Sequence, residues 1–462
     1  MTFSSQRISR LLSSAVILLL SIASSACHRI SNEEKALRLE TREALRTQAY
    51  DKAAALAQRA LEFSPRDEGN WNRLVQAQFG QRDAEAVHRS LAGWRNAITR
   101  RSAKLEEYTG DLALEEHDPA LARQAWLKAI SIDGKNVRLH EKIARLEHGE
   151  HNWAEENKAW TAYLHRRENA TARLNRALCR RHLQQWEEAF ADLRRAQQLA
   201  PNDAEVDGAA KLFARLEKLL PQIRELNARL VLSPEDFGLL GDRALIFLRC
   251  KDPELALEDG EAAATLAPWA VRPKLFAAIS LIDLGRAPEC DKLSVLPSIC
   301  LDFLTPELIE TIARLDSEIS VEQSNADLYV TRAWQLNEIN QPGLSLQDAE
   351  AAMRLDPKSA SGCAESSYAL MKLGRGEEAF ERIKQATEID PNYATGWQYR
   401  GELEMARSDF VGAIESLTRA LAVNQTATAL EKREECYRRI GLSVKAEQDH
   451  RALEQLNAPA IK

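Results

Sequence analysis

The feature that most constrains this chain is a spacing. The pattern Ala-x-x-x-apolar-x-x-Ala-x-x-x-x-Pro recurs at 34 residues: Pro357 and Pro391 are 34 apart, and Pro201, Pro234 and Pro268 follow one another at 33 and 34. Pro65 precedes Pro201 by 136, four times 34. In the clearest copy, Trp186 to Pro201, residues Ala189, Leu193 and Ala196 lie four and three apart and share one helical face, where two alanines let a neighbouring backbone come close. An upstream partner helix carries its own small residue, at Ala177, Ala244, Ala333 or Gly401, and is marked elsewhere by Trp71, Tyr329 or Trp397. Proline after the second helix stops it. The repeating unit is therefore a helical hairpin. One hairpin cannot cover its own apolar stripe, so copies must stack, and stability becomes a sum over neighbouring interfaces.

Composition narrows the function. At 462 residues and 45% apolar the chain exceeds what a single core usually serves, and its long Ala, Leu, Glu, Arg and Gln runs favour helix over sheet. With 62 basic against 69 acidic side chains and a net charge of −7, a nucleic-acid partner is not expected. The phosphate-cradling loop, the dinucleotide fingerprint, the zinc-protease helix motif and the nucleophile elbow are all missing from the sequence. An enzyme would need a site built on the repeat surface itself, so the chain is expected to be no enzyme and to need no cofactor.

On these residues the chain resembles the tetratricopeptide repeat family of 34-residue helical hairpins with small residues at fixed points and a closing proline. The resemblance covers about 34–458 and implies an all-α solenoid of roughly twelve hairpins. Copies near 80–102, 203–234 and 428–458 are degenerate. Pro268 to Pro357 is 89 residues, 21 more than two repeats. The excess is read as an insertion loop at 286–304 between blocks 34–285 and 305–458, with a tail at 459–462, and loops of that length often carry function. In the family, first helices line a concave groove that holds an extended peptide or partner helix. Matched position by position, the groove candidates are Arg181 and His182, Trp334 and Asn337, and Tyr368 and Lys372. The implied role is a scaffold or assembly factor that binds peptides or proteins.

The leader sets the expected compartment. Arg7 and Arg10 precede an apolar run from Leu11 to Ile22 and the small residues Ala23 to Ala26, which reads as a signal peptide over 1–26; the run is too short for a stable span. Cys27 after Ala26 resembles the bacterial lipoprotein motif, although Ser24 stands where that family usually has Leu. Lipidation of Cys27, with 27–33 as a tether, is expected, beside plain cleavage or an uncleaved anchor. By the same resemblance, His28 instead of Asp points to the periplasmic face of the outer membrane.

Several clusters have two readings. Arginines 166, 167, 173, 176, 180 and 181 make region 165–195 a candidate site for an acidic polymer or cell-wall glycan, or a solvated face paired with Glu168, Glu187 and Glu188. Arg176 also fits a recurrent pairing of Arg with a small residue, seen again at Arg243, Arg332 and Arg400. His148 and His151 flank Gly149 where a turn belongs, so a polar turn is expected there and no metal. Cys290 and Cys300 close a short loop, as a disulfide in an oxidising compartment or as two thiols. Most tryptophans are expected to fill packing positions in the repeat.

Overall fold

Residues with left-handed backbone punctuate the chain at nearly constant intervals: Gln48, Arg82, His117, His151 and Gln184, then Lys251, Gly285, Asn340, Gly374, Ser408 and Gly441. Each ends a helix, and the amide one residue further on bonds a carbonyl five residues back, as in Asp118 N–H to Ala113 at 2.8 Å and Arg375 N–H to Leu370 at 2.9 Å. This helix-ending motif reverses the chain and is commonest with glycine. Only three of these eleven positions are Gly. The others accept about 1 kcal/mol of backbone cost, offset by the hydrogen bonds and by docking of the next helix.

The computed structural model describes residues 32–457, and the chain forms two compact units that divide between Ala209 and Ala210. The leader 1–26, Cys27 and the tail 459–462 lie outside the described residues. In the first unit five hairpins follow in order: α1 (Asn32–Arg46) with α2 (Tyr50–Phe63), α3 (Glu68–Gln81) with α4 (Ala84–Ala97), α5 (Ala103–Glu115) with α6 (Pro119–Ile132), α7 (Val137–Gly149) with α8 (Trp153–Leu164), and α9 (Ala170–His182) with α10 (Trp186–Leu199). Next comes α11 (Ala204–Leu232). In the second unit six pairs follow: α12 (Phe237–Cys250) with α13 (Pro253–Leu266), α14 (Arg272–Asp283) with α15 (Pro306–Val321), α16 (Ala326–Glu338) with α17 (Pro342–Leu355), α18 (Ala360–Lys372) with α19 (Gly376–Ile389), α20 (Ala394–Ala406) with α21 (Phe410–Val423), and α22 (Ala427–Arg439) with α23 (Ser443–Asn457). The described residues contain no strand, and no helix among them is long and apolar enough to cross a membrane. The fold is an all-α solenoid of stacked hairpins.

Two sequence expectations change. The degenerate copy at 203–234 is no hairpin. It is one 29-residue helix, α11, because no left-handed turn residue interrupts it and Pro221 is tolerated inside. The chain divides within this helix and not at the insertion.

Insertion 286–304 is built of two short 3-10 turns, Ala287–Leu293 and Leu301–Phe303, and it buries Cys290, Val295, Ile299 and Leu304. Its Leu296 amide donates to Gln341 Oε1 at 2.8 Å, and Gln347 donates to Ser294 Oγ at 2.8 Å, so the segment docks on the start of α17. The Cys290–Cys300 bridge is not formed. Both thiols are free, with Cys290 Sγ buried and turned toward the Ala278 carbonyl at 3.6 Å.

Small residues at the crossings are fully enclosed: Ala177, Ala189, Ala196, Ala244 and Ala333 have no exposed surface. At Gly401 a Cβ would stand 2.7 Å from the Leu417 side chain, so only glycine fits. The aromatic residues that open first helices have a further use. Trp71 and Trp397 each donate an indole N–H to the carbonyl of the proline six residues earlier, Pro65 and Pro391, at 2.8 Å, and so hold the joint between hairpins.

The recurrent arginine is a three-helix clasp. Arg176, Arg243, Arg332 and Arg433, each on a first helix, grip with Nε and Nη2 the carboxylate 16 residues on, in the second helix: Asp192, Asp259, Asp348 and Asp449, at 2.6–2.9 Å. Nη1 reaches back to the helix before the hairpin, at Thr161, Asn227, Asp316 and Thr418. Asp316 does more: it accepts the backbone amides of Val271 and Arg272 at 2.9–3.1 Å, capping α14, whose own cap residue has no suitable side chain. Arg332 is only 1% exposed. Arg332→Ala would strand two buried carboxylates and should cost about 3–5 kcal/mol, against about 2 kcal/mol for the half-buried Arg433→Ala. Urea midpoints of the two variants measure this, and equal shifts would refute the ranking.

Candidate functional site

First helices of neighbouring hairpins touch one another, α1 with α3 and α3 with α5 in the first unit, α16 with α18 and α18 with α20 in the second. Within each unit this places first helices on the crowded, inner side of the curve. On that side of the first unit lies a cavity of about 870 Å³, walled by α3, α5 and α7 and by the start of α6. Its floor is aromatic. Phe79 stacks on Tyr108 with ring centroids 5.6 Å apart, and Trp126 lies over Gly110, where a Cβ would clash at 2.5 Å. Leu114, 43% exposed, and Leu146 complete the apolar wall.

The polar groups of this floor are held in place. Lys142 Nζ donates to both oxygens of Asp111 at 2.7 Å and to Glu107 at 3.1 Å, while Trp126 Nε1 donates to Asp111 at 2.9 Å. Burial raises the Asp111 pKa, only partly countered by Lys142; at Glu107, burial is outweighed by Lys104 and Lys142, which leave its carboxyl below the usual range. Tyr108 donates to Asn72 at 2.8 Å, and burial pushes its phenol up. A second cavity of about 290 Å³, shared through Arg145, continues toward Arg167 and Asn175. The arrangement is a trough with an aromatic floor and fixed dipoles, a composition that suits the side chains of a bound segment.

The sequence-derived candidates divide. Arg181 is 4% exposed, its Nη2 against His182 Nε2 at 2.9 Å, and Asn337 is 5% exposed, so neither is a groove-facing group. Each points into the stack because its helical phase faces a neighbouring helix. His182 is half-buried and stacks on Trp153 with centroids 3.9 Å apart. The other three line the surface of the second unit: Trp334 is 45% exposed, and Lys372 Nζ stands 5.2 Å above the Tyr368 ring, which packs on Tyr399.

The arginine run divides: Arg166 and Arg167 stay exposed, while its central members turn inward. Arg173, Arg176 and Arg180 converge on Asp192 at 2.6–2.7 Å, and Arg173 and Arg195 share Glu168 at 3.1 Å. Glu168 was the expected partner; Asp192 was not. His151 takes the left-handed turn position, and His148 pairs with the buried Glu156 at 3.2 Å. Sequence reasoning missed the trough of Phe79, Tyr108, Leu114, Lys142 and Arg145. The available signal was positional: Tyr108 and Lys142, and likewise Asp111 and Arg145, are one 34-residue period apart.

No protein-family model matches the sequence. The chain is 26% identical over 120 residues to human Tetratricopeptide repeat protein 16, which is 23% of this chain and 14% of that protein. It is 32% identical over 111 residues to the Protein STIP1 homolog of Dictyostelium discoideum, 24% of this chain and 19% of that protein. The chain thus matches less than a fifth of the length of these curated relatives. Among solved structures, Naa15/Naa10 bound to HypK-THB aligns over 93% of this chain and 69% of that one, with TM-score 0.35 and 14% identity. The APC/C hetero-tetramer Cut9-Hcn1 aligns over 96% of both, with TM-score 0.28 and 14% identity. The curated similarities, together with the hairpin architecture, support a tetratricopeptide repeat protein.

One buried carboxylate ties three first helices of the second unit. Glu365 of α18, 2% exposed, accepts from Asn337 Nδ2 of α16 at 2.7 Å, with the Tyr399 hydroxyl of α20 at 3.5 Å. Burial raises its pKa to about 7; the hydrogen bonds from Asn337 and Tyr399 oppose this, and the Glu338 charge adds to it. A folded value above the unfolded one means stability is fully present below about pH 4 and lost as pH rises through 7. Glu365→Gln should match wild type near pH 4 and exceed it by roughly 3 kcal/mol at pH 8. Denaturant midpoints across that range check this, and parallel pH curves for the two proteins would contradict it.

Proposed function

We propose that this chain is a scaffold that binds peptide segments of other proteins along the first-helix faces of its hairpins, held at a membrane through a lipid on Cys27. The observation that carries the binding role is the trough of about 870 Å³ across three successive first helices, apolar in its floor and partly exposed at Leu114. Partly exposed apolar anchors ringed by polar groups are the usual composition of an interface centre. The exposed Trp334 marks a second contact point in the other unit. Distribution over several hairpins suits a scaffold, since each contributes modest affinity and the sum confers specificity.

The export half rests on the leader pattern ending at Cys27, followed by His28. Several acyl chains on that cysteine would anchor the chain firmly where one would not. Binding of an acidic polymer through 165–195 is the weaker alternative, because Arg173, Arg176 and Arg180 already surround Asp192.

Photo-crosslinking in intact cells from position Gln76, an exposed groove residue, tests the trough. Leu114→Asp should weaken capture by about 2 kcal/mol, roughly thirtyfold, with the helical signal unchanged. Capture indifferent to Leu114→Asp would remove the trough from the function. Acyl labelling should be seen on wild type and vanish in Cys27→Ser; label on neither protein, or on both, would discard the anchor.

A further inference from the structure

The lysine and the arginine in the wall of the first-unit trough each have an internal carboxylate partner, and His117 lies at the same rim. Lys142 is held by Asp111 and Glu107, and Arg145 by Glu141 at 2.7 Å. Two further carboxylates on the wall, Glu115 and Glu150, form no ion pair within 4 Å among the described residues; Arg123, near Glu150, is itself held by Glu147. They sit 35 residues apart, Glu115 as the last residue of α5 and Glu150 as the cap that follows α7. That placement runs against the helix macrodipole, whose negative end disfavours a carboxylate and favours a cation. Because first helices run parallel, their C-terminal carbonyls gather on the same edge of the trough. The edge therefore combines two unpaired carboxylates with two negative helix ends, directly beside the apolar floor at Leu114 and Phe79.

We infer that the trough of the first unit selects a peptide segment in which an apolar side chain is flanked by Lys or Arg, the apolar group entering over Phe79 and Leu114 and the cations reaching Glu115 and Glu150. This rests on the binding reading above and specifies its partner. An acidic segment would bring its charge to an edge that is already negative, where the wall's lysine and arginine are both engaged by carboxylates. Charge complementarity at such an exposed rim governs partner choice and encounter more than total affinity.

The test is selection of a random library of end-blocked octapeptides on the purified full chain, with Leu114→Asp and the double variant Glu115→Lys/Glu150→Lys run in parallel and circular dichroism confirming their helicity. The bound pool should be enriched about fivefold in peptides with Lys or Arg within two positions of a large apolar residue. The double variant should lose the basic preference and keep the apolar one. An acidic or charge-indifferent pool that still depends on Leu114 overturns the charge inference and leaves the trough as a binding site. Enrichment untouched by Leu114→Asp, or no enrichment, overturns both.

Discussion

Close approach of helices lined with small residues is the constraint on which everything else in this molecule rests. Ala189 and Ala196 in one hairpin, Ala349 and Ala352 in another, and Ala379 and Ala386 in a third are all fully enclosed. A side chain one methyl larger would push the helices apart and open voids along the crossing. The gain per alanine is small, so the interface works only when continued into the next hairpin. That is why the chain is long, and why its core is a seam and not a ball.

Polar clasps then set the register that apolar packing leaves loose. A guanidinium that reaches its own hairpin and the helix before it fixes both the pairing and the stacking step with one planar group. Arg332 does this in full burial between Asp316 and Asp348. In the α20–α21 hairpin Ser416 stands where the aspartate would be; Glu404 supplies the carboxylate from the same helix as Arg400, and Ser416 donates to it at 2.6 Å. In the two hairpins before Arg176 the clasp position holds Lys142 and Tyr108, which turn to the inner face instead. The trough thus forms where the clasp is missing. The trough floor and the clasp draw on the same repeat position.

The insertion shows a different compromise. It interrupts the hairpin of α14 and α15, buries four side chains of its own and docks on the next hairpin through Gln341 and Gln347. Asp316 then caps α14 across the gap.

The 34-residue period, the enclosed alanines, the closing prolines and the packing role of most tryptophans were legible in the chain alone, because they are local patterns repeated many times, and repetition makes a weak signal strong. The helical, stacked architecture follows from them. The long α11 and the left-handed turns on residues such as His117 and Gln184 were not legible, since a degenerate copy lacks the very signal that would identify it and a turn residue other than Gly carries no mark. Only the tertiary structure decided which polar groups stay free. Arg181 and Asn337 lie on first helices as expected, yet helical phase turns them into the stack, and three arginines of 165–195 are gathered around Asp192 while Arg166 and Arg167 stay exposed. Exposure depends on what the neighbouring hairpin places opposite a residue, and that is a property of two helices, which no single stretch of sequence contains.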